Sequence, residues 1–219
     1  MINQDMVNIT YDFYKRVKGK VKEEMHSAVQ VRDGIIRKLG NLADEVCIAG
    51  GAVNDWMDGK LCRDVDIVIS VNHSHYTAEE ADFTSNEVVR VLELDGFIRL
   101  VSSYYYQGEK DVAYMTKVIE GKEYQLIITL EKLLDRIHQF PCSKSQVALT
   151  FYTGIENRVF VYATCLWFIG EDLQTLFFGG PRSWTHTIEH YRGKMQIKYP
   201  TYSVCDMGDN PRYLQVNKE

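Results

Sequence analysis

The sequence predicts an α+β fold with α/β-like character, helices laid against a β-sheet, and three observations lead there. Short β-type runs (Val46 to Ala49, Val65 to Val71, Asp111 to Ile119, Tyr124 to Thr129) are interspersed with segments of helical periodicity. Glycine-centred breaks at Gly50-Gly51, Gly121 and Gly179-Gly180-Pro181 separate the elements. With 219 residues, 45% apolar and 25% charged, the chain has an ordinary globular composition and the length for one substantial core.

From Met6 to Gly40 the pattern is helical. Val7, Phe13, Val17, Val21 and Met25 recur on one side with charges between them. A second helix is expected over Ala28 to Leu39, with Gly40 as its C-terminal cap. Lys15, Arg16, Lys18, Lys20 and Lys22 form the most basic run of the chain. A solvated helix face explains such a run more simply than contact with phosphates does.

The central stretch, Cys47 to Ser70, reads CIAGGAVNDWMDGKLCRDVDIVIS. Its apolar run ends in Gly50-Gly51, a compact segment follows, and a second run opens with Asp64-Val65-Asp66. We read strand, turn, short helix, strand. Side chains alternate along a strand, so Asp64 and Asp66 point one way and Val65 the other. Two carboxylates on one face suit a hard cation such as Mg²⁺. Paired glycines let a backbone approach a phosphate and present N–H donors to it. An acid pair beside such a turn points to phosphoryl or nucleotidyl transfer.

Beyond it, VNHSHYTAEEADF reads as a polar loop, and its His73 and His75 have no third partner of suitable spacing for a metal site. Thr84 to Leu94 is expected to be helical. Phe97 to Tyr105, Asp111 to Ile119 and Tyr124 to Thr129 read as strands, with turns at Gln107-Gly108 and Glu120-Gly121-Lys122. A helix over Leu130 to Phe140 stops before Pro141. Val147 to Tyr152 and Arg158 to Tyr162 read as a strand pair. Ser183 is a candidate N-cap for a helix through Lys198, with Trp184, Ile188, Tyr191 and Met195 as one stripe and His186, His190, Arg192, Lys194 and Lys198 opposite.

The central stretch resembles the head of the nucleotidyltransferase superfamily, the fold of DNA polymerase beta, and is most similar to the branch of CCA-adding enzymes and poly(A) polymerases. The resemblance rests on GGAVNDWMDGKLCRDVDIVI, with Asn54 where that branch usually carries Arg. It implies a nucleotidyltransferase fold: a mixed β-sheet flanked by helices, with N-terminal helices and a small C-terminal helical extension. It implies further that Asp64 and Asp66 bind Mg²⁺ (or Mn²⁺), and that Gly50 and Gly51 hold a nucleoside triphosphate. Lys60 and Arg63 are the candidate cations for its phosphates. The superfamily's third carboxylate has no match on FPCSKSQ, where a phage-type pattern would put acids at Pro141 and Ser143. Asp111 is the candidate catalytic replacement, ahead of Glu123 and Asp135.

The expected organisation is N-terminal helices over residues 1–44, a head over 45–178 and a C-terminal extension and tail over 179–219. A net charge of −5 argues against a large, uniformly basic nucleic-acid surface. Five scattered cysteines suit reduced thiols in a cytoplasmic protein. No signal peptide and no membrane-spanning run are expected, and neither a P-loop nor a Rossmann fingerprint occurs. Two functions follow. One is an enzyme transferring a nucleoside monophosphate to a hydroxyl on RNA (a tRNA end), on protein or on a small molecule. The other is a degenerate member that binds a nucleotide or a macromolecule without turnover, which Asn54, the unmatched third acid and the little room for helical RNA-binding domains favour. A scaffold without nucleotide binding is a third, weaker reading.

Overall fold

The computed structural model describes residues 6–71, 77–100, 111–151, 159–179 and 185–207. The chain begins with a short strand, β1 (Met6–Asn8), then α1 (Thr10–Arg16) and α2 (Gly19–Leu39). A helix was expected from Met6, but Met6 to Asn8 instead pair antiparallel with a distant strand at Tyr162 to Thr164. Tertiary pairing of this kind overrides local periodicity. The helical region is also divided elsewhere than expected. The first helix stops at Arg16 with Val17 extended, and α2 opens at Gly19 (φ +54°) and runs unbroken past Ala28. Val21, Met25, Ala28, Ile35 and Leu39 form its buried stripe. Gly40, also at φ +54°, caps it as expected and donates its N–H to Ile36.

Next come β2 (Glu45–Ala49), α3 (Gly51–Met57) and β3 (Asp64–Ser70), the strand, helix and strand expected of the central stretch. The following helix, α4 (Ala78–Leu94), starts earlier than Thr84. Thr77 and Glu80 form a reciprocal capping box there, so part of the sequence expected to be loop is helix. His73, His75, the Gln107-Gly108 turn, Ser183 and Trp184 lie outside the described residues.

After β4 (Ile98–Arg99), β5 (Asp111–Ile119) and β6 (Lys122–Thr129) form a hairpin whose turn residues Glu120 and Gly121 both take positive φ. That is the backbone sign a tight two-residue connection requires. The chain continues through α5 (Leu133–His138), β7 (Val147–Phe151), β8 (Val159–Thr164), α6 (Cys165–Asp172), β9 (Thr175–Phe178), α7 (Thr185–Lys198) and β10 (Ser203–Asp206).

Among the described residues, eight strands form one mixed sheet in the order β1-β8-β7-β2-β3-β6-β5-β4. β3 and β6 pair parallel and their neighbours pair antiparallel. A second, two-stranded parallel sheet joins β9 to β10, so the segment after α7 is tied back to the body. The main sheet has two unequal faces. Val65, Ile67 and Ile69 of β3 enter a large core with α1, α2, α3 and α4, built on Phe13, Met25, Ile35, Trp56 and Leu92. The alternate residues face a smaller cluster with Leu133, Ile137 and Phe140. Asp64 and Asp66 lie on that thinner face.

Candidate active site

The period-two alternation of β3 places the acid pair as the sequence predicts: Val65 is buried, while Asp64 and Asp66 are half-buried. Parallel register sets Glu123 beside Asp64 and Gln125 beside Asp66. These four residues share one side of two adjacent strands. Gly50 stands over the pair at the end of β2. Its φ of +73° is one that side chains rarely adopt, and a Cβ built there would lie 3.1 Å from Asp66 Oδ2. Glycine is therefore required for conformation and for space together.

Asp64, Asp66, Gly50 and Gly51 open on a cavity of about 610 Å³. Its inner wall is apolar, formed by Tyr114, Ile127, Phe140, Pro141, Tyr191 and Met195. Its mouth carries Lys60 and Arg63 from the loop before β3, and Lys194 and Lys198 from α7. A cleft that combines apolar and aromatic lining with charged groups suits a ligand of the same polarity, an aromatic body with an anionic tail.

The charges are strongly coupled. Burial, then the charge of Asp64, pushes the Asp66 carboxyl up to about 7. Arg63 donates to Asp64 Oδ2 through Nη2 at 2.7 Å and Nε at 3.2 Å. Behind the cavity, Arg136 of α5 is fully buried and grips Asp111 with Nη2–Oδ2 at 2.8 Å and Nε–Oδ1 at 2.9 Å. Tyr114 donates to the same carboxylate at 2.5 Å. Asp111 therefore meets Arg136 and Tyr114 and does not line the cavity. Asp135 is exposed, and Glu123 accepts from Thr116 and from Gln125. Among the described residues, no group of three acidic, histidine or cysteine side chains is gathered closely enough to share one metal ion.

The residues that sequence reasoning missed come chiefly from α7. Its stripe packs on the body, with Met195 against Cys142, Leu176 and Phe178, but its cations Lys194 and Lys198, expected only on the side opposite the stripe, border the cavity. Asn54, the departure from the family pattern, is buried under this helix. It donates to the Tyr199 hydroxyl and accepts from Trp167 Nε1 at 3.2 Å. Ser145 and the Tyr191 hydroxyl share another bond, and Lys198 pairs with Asp55 at 2.6 Å. Phe140 and Pro141, expected at the end of a helix and in the segment where the third acid has no match, both line the cavity, and the Gln146 amide donates to the carbonyls of His138 and Phe140.

No protein-family model matches the chain, and no curated protein matches it in sequence. Solved structures do match in three dimensions. A Thermotoga maritima CCA-adding enzyme in complex with a tRNA superposes with a TM-score of 0.55 at 11% identity, covering 94% of this chain and 44% of that one. A CCA-adding enzyme in complex with ATP gives 0.52 at 11% identity over 93% of this chain and 43% of that one. An apo CCA-adding enzyme gives 0.52 and 11% as well. The chain thus has the nucleotidyltransferase fold and spans less than half the length of these neighbours.

Proposed function

We propose that this chain is a nucleotidyltransferase that moves a nucleoside monophosphate from a nucleoside triphosphate to a hydroxyl acceptor. The observation that carries this reading is the convergence of Gly50, Asp64, Asp66 and four cations on one apolar-lined cavity. The fold supports it, and the ATP and tRNA bound to its structural neighbours favour a nucleotide donor and an RNA acceptor.

The acid pair fits a divalent cation. Asp66 is held near neutrality partly because Asp64 repels its charge, and a shared cation relieves that repulsion. Mg²⁺ takes one or two carboxylates and completes its shell with water and phosphate oxygens, so Asp64 and Asp66 suffice to hold it. When bound, the ion steadies charge on the triphosphate and the departing pyrophosphate. The absence of a Cβ at Gly50 lets phosphate approach the acids, while Lys60 and Arg63 offset its charge. The apolar wall receives the base. The acceptor oxygen bonds to the α-phosphorus, the bond to the bridging oxygen breaks, pyrophosphate leaves, and the acceptor proton passes to solvent at the mouth. Asp111 acts at one remove in this scheme, by fixing Arg136, whose charge opposes the upward shift of Asp66.

A binder without turnover is the second reading, favoured by the lack of a three-acid group among the described residues. Transfer of α-labelled nucleotide to RNA with Mg²⁺ or Mn²⁺ separates the two. Label that requires both Asp64 and Asp66 supports the enzyme. Mg²⁺-dependent nucleotide binding without label supports the binder. We place the protein in a reducing, cytoplasmic setting because its five cysteines are free thiols. Among the described residues no helix is long and apolar enough to cross a membrane.

A further inference from the structure

We propose that α7 is a phosphate-operated clamp, in which Lys198 is held by Asp55 until the polyphosphate of a bound nucleotide takes Asp55's place. The inference rests on the nucleotide-binding reading of the cavity. It assigns Lys194 and Lys198 to ligand recognition, a role that the acids and glycines do not require of them.

Three observations carry it. First, Asp55 and Lys198 both line the cavity, so their 2.6 Å pair borders the space a ligand would occupy. Second, Lys60 and Lys198 both lie against the ring of Tyr199, at 5.7 and 5.8 Å from its centroid. A third ammonium, Lys144, is 4.9 Å from the same ring. Lys144 is buried and pairs with Glu171, which fixes it as a structural cation. Lys60 and Lys198 are more accessible and are held by acids, Asp58 and Asp55, of which Asp55 borders the cavity. Two cations brought to one aromatic ring form an electropositive site, and each acid that now offsets them can be exchanged for a stronger anion. Third, α7 is anchored at positions that do not depend on the exchange. Asn54 binds the Tyr199 hydroxyl, Ser145 binds Tyr191, and Met195 is buried beside Phe178.

The exchange is favourable because a triphosphate carries several charges where Asp55 carries one. Asp55 is not stranded when Lys198 turns, since Lys60 also acts on it. The helix needs no large movement: a rotation of one long lysine side chain converts a contact between protein groups into a contact with ligand. Lys194, one turn earlier on the same side and exposed, adds a second phosphate contact from the roof.

Calorimetric titration with Mg²⁺-ATP, Mg²⁺-CTP and inorganic pyrophosphate tests the clamp on the full chain. Lys198→Ala is expected to weaken nucleotide binding about tenfold, as for loss of one charge-assisted bond. Asp55→Asn frees Lys198 and is expected to tighten binding about threefold. In the Lys198→Ala background that gain disappears. Hydrogen exchange over 191–198 should slow on nucleotide addition in the parent protein and not in Lys198→Ala. Parent and Lys198→Ala proteins binding equally would overturn the clamp while leaving the nucleotide reading intact. Absence of binding by the parent protein to all three ligands would overturn both. A fall in affinity for Asp55→Asn with an unchanged melting temperature would overturn the clamp alone.

Discussion

The acidic floor of the cavity lies inside the main sheet, on β3 beside β6, whereas its roof is a helix held by side chains and by the short β9–β10 ladder whose strands precede and follow it. Strand pairing fixes the spacing of Asp64, Glu123, Asp66 and Gln125 through backbone hydrogen bonds that no single side chain controls. The roof depends on individual contacts, Asn54 with Tyr199, Asp55 with Lys198 and Ser145 with Tyr191. Substitutions on the floor should therefore change chemistry without moving the backbone. Substitutions at the roof should change affinity and local order first. The difference separates the part of the site that must be rigid from the part that can respond to a ligand.

The largest effect is expected at the floor. Asp64→Asn with Asp66→Asn should reduce transfer by about a thousandfold or more, since both charges proposed to hold the metal go. Thermal melting should show the variant at least as stable as the parent, because like-charge repulsion goes too. A variant that melts far below the parent would show that the pair is structural.

Next in size is the buried support behind the floor. Arg136→Met leaves the Asp111 carboxylate buried without its cation and should cost about 3–5 kcal/mol in urea unfolding. Replacing Asp111 by Asn in the same chain should recover much of that loss. If Arg136→Met unfolds at the parent's urea concentration, the pair contributes nothing net.

A third effect concerns pH. In an unfolded chain Asp66 titrates at about 4, and in the folded chain its carboxyl is pushed up to about 7. Between these values the folded state holds a proton that the unfolded state has lost. The contribution of Asp66 to stability is therefore greatest below the lower value and falls as pH rises toward the upper one. A divalent cation favours the charged form and opposes the trend. The rise in melting temperature caused by Mg²⁺ should accordingly grow from about pH 6 to pH 8, and Asp66→Asn should abolish that pH dependence. An Mg²⁺ effect that is flat with pH would place the ion elsewhere.

The smallest effect is at the roof. Tyr199→Phe removes the hydroxyl that accepts from Asn54 and should cost about 1 kcal/mol. Faster hydrogen exchange in α7, with none in β3, would confirm that floor and roof are independently secured. Equal acceleration in both would merge them.

How much of this was legible beforehand differs along the chain in a physical way. Gly50, Asp64 and Asp66 belong to one short stretch whose conformation follows from a glycine break and period-two alternation, so their juxtaposition was readable. Helix α4 was only partly readable, although Thr77 and Glu80 carried the capping-box signal in plain view. β1 was hidden, because three residues pair with a strand near the other end of the sequence. Asp111 was readable as the head of a strand, but its partner Arg136 was not, since nothing local to either residue indicates the other.

The sequence by itself determined the nucleotidyltransferase-type floor: strand, glycine turn, short helix and acid-bearing strand are local patterns, each governed by the conformational preferences of neighbouring residues. Only the tertiary structure decided what covers it. Asn54 meets Tyr199 across 145 positions of chain, and Lys198 reaches Asp55 because α7 packs its Met195 on Phe178 and Leu176. Such contacts are selected by the burial of apolar surface between distant elements, which periodicity along the chain does not encode.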